Sequence, residues 1–598
     1  MNKYRTHNCS ELNEKNIGEE VKLSGWLHRK RDHGNLLFLD IRDHFGLTQC
    51  VIESNDKNFK ILEKLKPESV ISIHGKVVKR SEETKNKEIQ TGMVEVKIKK
   101  IEVLSTSQEL PLPVFGEQEY PEEIRLKYRF IDLRRNEMHE KIKLRSNVIS
   151  YLRKKMIENK FLEFQTPILT ASSPEGARDF LVPSRTHKGK FYALPQAPQQ
   201  FKQMVMVAGF DRYFQIAPCF RDEDGRADRS PGEHYQLDME MSFVEQDDVF
   251  KIVEPIFFDL FSKFGKNKKV NNKPFPRISY HEALEKYGTD KPDLRNPIEL
   301  VDCTDIFKSK EVTFKIFKEK VSKGEIVIGI PAPNTQNKPR SFFDNLNNWA
   351  ISEGANGMAY LTFEKKNNKL LAKGPIAKFF SDKSLDDIIK KCKISEKDSL
   401  FFVCNKVGEA QKFAGIARQK IGEELKIIDR SKFIFCWITD YPMYQFDEKE
   451  KKIDFSHNPF SMPQENIGEF DKKDPLKILA YQYDLVCNGY ELSSGAIRNH
   501  IPEYLFKVFG KVGYSKEMVL KNFPGMINAL SFGAPPHGGM APGIDRIIML
   551  LADEKNIREV TLFPLNQNAE DLMMGAPSEV SETQLKELNI KINKKKDD

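Results

Sequence analysis

Alternating apolar and polar positions predict a small β-barrel in the N-terminal part of the chain. One helix-like patch follows the third of five short alternating runs, which lie at 21–27, 35–43, 47–52, 69–78 and 92–98. Five strands with a single helix are typical of a Greek-key barrel of the OB type. We therefore predict an OB-fold domain at 1–108, followed by a linker at 109–137 in which Pro111 and Pro113 interrupt regular structure.

The rest of the chain changes pattern three times. Helical periodicity begins near residue 137 and continues to residue 160, and a β-rich stretch dense in motifs follows. A lysine-rich stretch then has strand and helix patterns of its own, which indicate an inserted domain. We predict an α+β fold with these boundaries: a main domain in two parts at 138–287 and 426–563, an inserted α+β domain at 288–425, and a C-terminal extension at 564–598.

Composition narrows the class of protein only a little. The 598 residues are 39% hydrophobic, and the net charge of +8 permits a polyanionic partner without requiring one. Eight scattered cysteines form no Cys-x-x-Cys pair, which argues against a disulfide framework or a zinc site. The first residues show no signal-peptide pattern, and no run of 18 apolar residues occurs. We therefore expect a cytoplasmic protein without a membrane span.

The segment 538–551 has the strongest chemical pattern. Gly538, Gly539 and Gly543 precede Arg546, and an apolar helical run follows. Glycines let a backbone approach a ligand closely, and one fixed arginine can hold a polyphosphate beside a flat base. Alone, such a turn is weak evidence of a nucleotide site.

A predicted hairpin supplies a second arginine. Residues 214–221 and 235–243 alternate as strands, and a polar loop joins them. Arg221 stands at the end of the first strand, where its guanidinium could bind phosphate or carboxylate. A structural ion pair with Asp222 or Glu223 is the alternative.

Two acids seven positions apart suggest a metal site. Asp484 and Glu491 flank an Asn-Gly turn, and carboxylates with substrate phosphates are the ligands that Mg²⁺ prefers. Arg498 follows a flexible Ser-Ser-Gly stretch close by. Charge pairing at the surface is the alternative. Polar loops at 172–180 and 196–202 add an acid, several amides and a lysine.

In this order, residues 161–167, 220–223 and 543–546 are similar to the three signature motifs of class II aminoacyl-tRNA synthetases. With the loops at 174–179 and 199–202, the chain resembles the bacterial type of aspartyl-tRNA synthetase over nearly its whole length. That resemblance implies a catalytic domain built on an antiparallel sheet flanked by helices, a GAD-like inserted domain, and a homodimer formed through the first motif.

The resemblance also implies an activity and its residues. L-Aspartate would react with ATP to give aspartyl-adenylate, and the aspartyl group would then pass to tRNA. Arg221, Glu491 and Arg546 would be catalytic, with Asp484 and Glu491 holding Mg²⁺. The implied ATP-binding residues are Arg221, Asp222, Glu223, His234, Gln236, Glu491, Gly543, Ile544, Asp545 and Arg546, and those for L-aspartate are Glu175, Gln199, Lys202, Arg221, Asp238, His457 and Arg498.

Two details of that assignment affect specificity and nucleotide binding. Lys202 and Arg498 would bind the β-carboxylate of aspartate, so that a neutral asparagine would leave both cations unpaired. The family often has phenylalanine where His234 stands, and an imidazole can also stack on adenine.

An N-terminal OB barrel suits binding of an anticodon. Phe38 would stack on a base and Gln49 would read a base edge, with Arg29, Lys30 and Arg31 on phosphates. Phe38 could instead be a buried strand residue. His33 resembles the branch of the family that charges both tRNA(Asp) and tRNA(Asn).

Three alternatives stay open on the sequence. The first is an enzyme strictly specific for tRNA(Asp). The second is an asparaginyl- or lysyl-tRNA synthetase, which the lysine–arginine pair and the long insertion disfavour. The third is an RNA-binding paralogue without catalytic activity, which intact arginines in the motifs disfavour.

Overall fold

The computed structural model describes residues 2–116, 118–172, 177–335, 337–366 and 369–593. The chain falls into two units, the first comprising Met1–Glu140 with Asp571–Ala576 and the second comprising Lys141–Glu570 with Pro577–Asp598. The six-part division drawn from the sequence stays a prediction. Among the described residues, no helix is both long and apolar enough to span a membrane.

The first unit contains a closed five-stranded barrel. Its strands follow the order β1-β2-β3-β5-β4, and one helix, α1, connects β3 to β4. The barrel interior is filled by the inward-facing side chain of every second strand residue, which explains the alternation in the sequence. This barrel confirms the predicted OB fold. Its elements are β1 (Glu20–Asp32), β2 (Leu36–Arg42), β3 (Leu47–Glu53), α1 (Phe59–Lys64), β4 (Val70–Lys79) and β5 (Val94–Ser105).

A buried carboxylate fastens the segment after the barrel to the barrel wall. Glu68 is 3% exposed and accepts hydrogen bonds from Arg42 at 2.8 Å and from Arg134 at 3.1 Å. Both arginines also lie over the ring of Trp26. The segment holds three helices, which are α2 (Glu122–Lys127), α3 (Arg129–Asp132) and α4 (Asn136–Glu158).

The second unit begins within α4 and carries the rest of the elements. Those before the inserted part are β6 (Leu162–Glu163), β7 (Leu181–Pro183), β8 (Phe191–Ala193), α5 (Gln199–Val207), β9 (Arg212–Arg221), β10 (Gly232–Ser242), α6 (Gln246–Phe264), β11 (Lys269–Val270), β12 (Arg277–Ser279) and α7 (Tyr280–Tyr287). The predicted hairpin is therefore present as β9 and β10, with Arg221 opposite Gly232.

The inserted part is built around a second sheet. Its elements are β13 (Val301–Asp302), α8 (Thr304–Lys308), α9 (Lys315–Ser322), β14 (Ile326–Ala332), α10 (Arg340–Ser352), β15 (Ala359–Lys366), β16 (Lys369–Lys373), α11 (Asp382–Lys391), β17 (Ser399–Asn405) and α12 (Val407–Glu424). The strand order is β13-β14-β17-β15-β16, all antiparallel. Alternate strand residues belong to two separate apolar clusters, so both faces of this sheet are covered.

The chain then returns to the large sheet. The remaining elements are β18 (Lys432–Phe433), β19 (Phe435–Thr439), β20 (Tyr441–Pro442), β21 (Tyr444–Asp447), β22 (Lys452–Phe455), α13 (Ile467–Phe470), β23 (Leu479–Ala480), β24 (Gln482–Cys487), β25 (Tyr490–Ile497), α14 (Pro502–Gly510), α15 (Lys516–Asn522), α16 (Pro524–Leu530), β26 (His537–Met540), α17 (Ile544–Ala552) and α18 (Glu582–Leu588).

Eight strands form the large sheet, in the order β12-β19-β24-β25-β26-β10-β9-β6. The six central strands are antiparallel, while β12 and β6 pair in parallel at the two edges. Helices α4, α6 and α17 share one apolar cluster with the sheet. This arrangement confirms the predicted fold class, an antiparallel sheet flanked by helices with an OB barrel and an inserted α+β part.

Helix α17 explains how one charged side chain is presented from an apolar segment. Eight of its nine residues are buried, and Arg546 is the one that is not. The apolar side chains of α17 pack in the core, whereas Arg546 reaches the carbonyl oxygen of Glu491 in β25 and the carboxylate of Asp228.

The glycine pair before α17 has a packing role that the sequence did not indicate. Gly538 and Gly539 lie in β26, between β25 and β10, and both are buried. A Cβ atom on Gly539 would lie closer than 3.0 Å to the carbonyl oxygen of Met239 and to Oε2 of Glu240. The interpretation that these two glycines let the backbone approach a ligand is therefore wrong, because it is neighbouring strands that approach them.

We predict that Gly539→Ala lowers the thermal unfolding temperature by several degrees. Overpacking of this kind costs about 1–3 kcal/mol, since the strand or the Glu240 side chain must shift. The control is Gly543→Ala, whose added methyl has Leu492 O at 3.8 Å as its nearest neighbour. Equal melting of the two variants in differential scanning calorimetry would contradict the packing role.

Candidate functional site

A cavity of about 730 Å³ lies on the large sheet and gathers residues that are far apart in the chain. Strands β9, β10 and β25, helices α5 and α17, and the segment after β22 all contribute to its wall. The residues of the sequence-based prediction that line it are Gln199, Lys202, Arg221, Glu223, His234, Gln236, His457, Glu491, Arg498, Gly543, Asp545 and Arg546.

Two arginines, one at the end of β9 and one in α17, line this cavity. Arg221 ends β9, and its Nε is 3.4 Å from the carbonyl oxygen of Gln196. Arg546 donates from Nη1 to the carbonyl oxygen of Glu491 at 2.9 Å, and its Nη2 is 3.4 Å from Oδ2 of Asp228. Two fixed guanidinium groups across one cavity can grip a polyanion at two points.

Asp228 is a residue that the sequence reasoning missed. It stands in the loop between β9 and β10, and both its carboxylate and its carbonyl oxygen contact Arg546. The sequence signal that could have identified Asp228 is its place as an acid in the polar loop of the predicted hairpin. Glu223 is paired in the same loop, with Arg229 at 2.6 Å.

Asp484 and Glu491 form a pair of carboxylates at the turn between β24 and β25. A register shift follows Leu485, and it helps to bring the two acids to neighbouring positions. Burial, followed by the charge of Glu491, raises the pKa of Asp484 to about 8. Asp484 accepts a hydrogen bond from the hydroxyl of Tyr441 at 2.7 Å on one oxygen.

The other oxygen of Asp484, Oδ1, is buried and has no hydrogen-bond partner within the described part of the chain. A buried unpaired carboxylate oxygen beside a second carboxylate fits a hard divalent cation such as Mg²⁺. No group of three or more possible metal ligands occurs among the described residues. Substrate oxygens would therefore have to complete the coordination of such an ion.

A second group of charges is buried deeper under α5. Lys202 donates to Oδ1 of Asp238 at 2.7 Å and lies 3.5 Å from Glu240. Arg498 contacts Glu240 through Nε at 2.8 Å and through Nη2 at 3.2 Å. All four side chains are at most 3% exposed. The two cations that the sequence reasoning assigned to a substrate carboxylate are thus already paired with protein carboxylates.

The two acids of this group differ in pKa. Burial raises the pKa of Glu240, but Arg498 and then Lys202 outweigh it and hold the pKa below its ordinary value. Burial keeps the pKa of Asp238 above its ordinary value in spite of Lys202. Oδ2 of Asp238 and the side-chain nitrogen of Gln199 are buried without a hydrogen bond among the described residues. Both atoms could therefore make polar contacts with a bound molecule.

Several predicted ligand residues are exposed, buried in the core, already bonded to the protein, or outside the described part of the chain. Asp222 is exposed and lies 3.9 Å from Arg178, and the side chain of Ile544 is buried in the core. Asp545 accepts hydrogen bonds from Arg145 and from the backbone N–H of Tyr235, so its carboxylate is occupied by the protein. Glu175 lies outside the described residues.

His234 lines the cavity close to Arg221 and Arg546. Burial, followed by the charge of Arg221, lowers the pKa of His234 to about 4. Its imidazole is therefore neutral near pH 7 and presents a flat uncharged ring. His457 also lines the cavity, and burial lowers its pKa as well.

The barrel carries the residues predicted to bind an anticodon. Phe38 lies on the outer face of β2, because Leu37 and Leu39 beside it are buried. His33, in the turn after β1, contacts Phe38 edge to face at 5.4 Å. Arg29, like Arg31, is exposed and projects from β1.

The amide of Gln49 is held at both ends. Its oxygen accepts from Arg31 at 3.0 Å, and its nitrogen donates to Glu95 at 2.7 Å. To read a base edge, Gln49 would have to give up one of these bonds. Two acids near Gln49 were not predicted from the sequence. Asp40 pairs with Arg31, and Glu95 lies in β5, where the alternating pattern leaves it less buried than its neighbours.

Comparison with known proteins agrees with this geometry. The family model described as tRNA synthetases class II (D, K and N) matches residues 121–567, and an OB-fold nucleic acid binding domain matches residues 21–104. An aspartate–tRNA(Asp/Asn) ligase of Pelagibacter ubique (strain HTCC1062) is 61% identical and covers 100% of both chains. The ligase of the same name from Zymomonas mobilis subsp. mobilis (strain ATCC 31821 / ZM4 / CP4) is 58% identical, covering 99% of this chain and 98% of its own.

Among solved structures, the asparaginyl-tRNA synthetase of Pyrococcus horikoshii, complexed with asparaginyl-adenylate, has a TM-score of 0.57 at 20% identity. It covers 93% of this chain and 97% of its own. At that identity the likeness concerns the fold alone.

We predict that Asp228→Asn tightens binding of ATP by up to about five-fold, because Arg546 loses a competing carboxylate whose partly exposed pair contributes about 1 kcal/mol or less. Isothermal titration calorimetry measures this change. Asp224→Asn is the matched control in the same exposed loop and should leave the affinity unchanged. Weaker binding in Asp228→Asn alone would mean that this acid supports the ligand.

We predict that His234→Phe keeps the ATP affinity of the parent protein, whereas His234→Ala loses about ten-fold, since a base–aromatic stack is worth about 1–3 kcal/mol. With a pKa of about 4, His234 stays uncharged near neutral pH. The ATP affinity should therefore show no change between pH 6 and 8 that comes from protonation of this residue. Unfolded histidine takes up its proton near 6.5, so this residue lowers stability as the pH falls from 6.5 toward 4. Titration calorimetry and melting at several pH values check both points.

Proposed function

The chain belongs to the class II tRNA synthetases (D, K and N), and on that basis we propose that it joins L-aspartate to tRNA(Asp) and to tRNA(Asn) through an aspartyl-adenylate. The observation that carries the proposal is one cavity that unites the Arg221–Arg546 pair, Glu491, and the buried Lys202–Arg498 group. A polyphosphate and a small dicarboxylate are the ligands that suit these two regions.

In the first step, a carboxylate oxygen of aspartate attacks the α-phosphorus of ATP. The bond to the bridging oxygen breaks, and pyrophosphate leaves with the electron pair. Arg221 would neutralise the charge that gathers on the α-phosphate, and Arg546 would hold the departing end. Positioning and charge stabilisation can supply such a rate without a nucleophilic side chain.

Asp484 and Glu491 would hold Mg²⁺, which when bound supplies positive charge beside the phosphates. Their own contribution is to present two carboxylates at a tight turn, one of them with a buried oxygen that lacks a hydrogen bond among the described residues. In the second step, a hydroxyl group of the terminal ribose of tRNA attacks the aspartyl carbonyl carbon, and AMP leaves.

Choice of the amino acid would rest on hydrogen-bond polarity. Lys202 and Arg498 can offer only N–H donors, and Glu240 fixes both of them in place. A β-carboxylate accepts from both cations. The amide of asparagine would turn its own N–H groups toward one of them, and a site built for such donors rejects the wrong partner strongly.

Binding of tRNA would begin at the barrel. Phe38 offers a half-exposed aromatic face, and Arg29 and Arg31 offer charge for phosphates. Acceptance of tRNA(Asn) is supported by the names of the full-length relatives and by His33 beside Phe38. A cytoplasmic location suits this activity and the free thiols of all eight cysteines.

A homodimer is proposed from the exposed apolar side chains near the edge strand β6. They lie in β6, in the segment that follows it and in the β7–β8 hairpin, and they are Leu162, Ile168, Leu169, Leu181, Phe191 and Tyr192. Large exposed apolar side chains grouped in this way are typical of a protein–protein interface.

We predict that the purified protein charges tRNA(Asp) and tRNA(Asn) with aspartate at efficiencies within about ten-fold, a difference of about 1.4 kcal/mol in transition-state stabilisation. Charging of the two purified tRNAs, side by side, is the measurement. If tRNA(Asn) is charged thousands of times less efficiently, the enzyme is specific for tRNA(Asp).

Arg546→Ala serves as the inactive control in these assays. It should abolish aspartate-dependent ATP–pyrophosphate exchange and leave binding of an anticodon stem-loop unchanged. Exchange with asparagine or lysine in place of aspartate would contradict the proposed amino acid.

A further inference from the structure

Lys291 places an ammonium group directly against one of the two proposed metal carboxylates. Its Nζ lies 3.3 Å from Oε2 of Glu491 and 2.7 Å from Oδ2 of Asp290. The side chain is about one-third exposed, so the ammonium remains partly open to solvent beside Glu491. The sequence reasoning gave this residue no role.

The loop that carries Lys291 is firmly supported. Arg418, a buried side chain of α12, donates to the carbonyl oxygens of Asp293, Asn296 and Ile298 at 2.6–3.0 Å. Asp293 is also gripped by Arg295 through two hydrogen bonds.

The turn that carries the metal carboxylates packs against this loop. A Cβ on Gly489 would meet Asp293 Cβ at 3.4 Å and the carbonyl oxygen of Lys291 at 3.9 Å. Lys291 is therefore held beside Glu491 by the fold, and its position does not depend on one exposed ion pair.

Charge explains what the ammonium does there. Lys291 is attracted most strongly to Glu491 and to Asp290, the two carboxylates that it contacts, and more weakly to Asp484. A divalent cation on Glu491 would have to share that carboxylate with the ammonium, and two cations a few ångströms apart repel each other. The phosphates of ATP add enough negative charge for both cations to stay.

We propose, on the basis of the function proposed above, that Lys291 is a positioning residue that acts as the internal counter-ion of Glu491. While the nucleotide is absent, the ammonium neutralises Glu491 and keeps divalent cations away. The metal therefore enters together with the phosphates of ATP and does not bind first.

The test is to measure binding of Mn²⁺, used in place of Mg²⁺, in the absence of nucleotide. The EPR signal of the free ion reports how much Mn²⁺ remains unbound. Lys291→Met keeps the length of the side chain and removes the charge, and it should bind Mn²⁺ roughly ten-fold tighter or more than the parent protein. Lys291→Arg restores the charge and should bind Mn²⁺ as weakly as the parent does.

Lys286→Met is the matched control. Lys286 stands in α7, close in the chain, and pairs with Glu282 at 2.8 Å on the surface. It should leave Mn²⁺ binding unchanged. Equal affinity of Lys291→Met and the parent protein would overturn the proposal, and so would equal tightening in both methionine variants.

A further measurement keeps the proposal testable if Lys291→Met does not fold. The parent protein should bind Mn²⁺ much more tightly with ATP present than without it, and tight binding without nucleotide would overturn the proposal. These experiments contain neither aspartate nor tRNA. Failure of the proposed function would instead appear as absent aspartate-dependent exchange in the parent protein.

Discussion

The site depends on a buried set of four charges, in which Lys202 and Arg498 are paired with Asp238 and Glu240. These side chains come from α5, from β10 and from the residue that directly follows β25, so the ion pairs tie three parts of the chain together. Removing one partner of a buried pair leaves a charge without compensation, at a cost of about 3–5 kcal/mol. The set therefore holds the floor of the cavity as well as the groups that would receive a substrate carboxylate.

The same principle, a charge held ready by a protein partner, recurs around the cavity. Arg546 rests on Asp228, and Glu491 rests on Lys291, so the fixed charges of the phosphate region are balanced by side chains. A ligand that binds here replaces existing partners, and its affinity measures a difference between two sets of contacts. That difference favours a ligand with several anionic oxygens over one with a single charge.

How much of this could be predicted from the sequence depends on the range of the interaction. The β9–β10 hairpin with Arg221 at its strand end, and an apolar helix presenting Arg546, follow from local periodicity. Glu240, Asp228 and Lys291 escaped notice because their partners lie on strands or loops that are distant in the chain.

The glycine pair in β26 is a second example of this limit on prediction from sequence. The sequence reveals an absent side chain, and it does not reveal which atoms fill the space. Only the strand order places β10 and β25 against those glycines. Asp545 is a related case, since its carboxylate at the start of α17 is held by Arg145 and by the backbone N–H of Tyr235, both distant in the chain.

The tight packing at Gly539 also limits how this enzyme could be redesigned. Any side chain there collides with the backbone of β10, so position 539 is closed to substitutions that would change the amino-acid specificity. Variation has to come from α5, from β25, or from the segment that carries His457. Libraries aimed at those three elements would sample the binding pocket while leaving its most crowded strand intact.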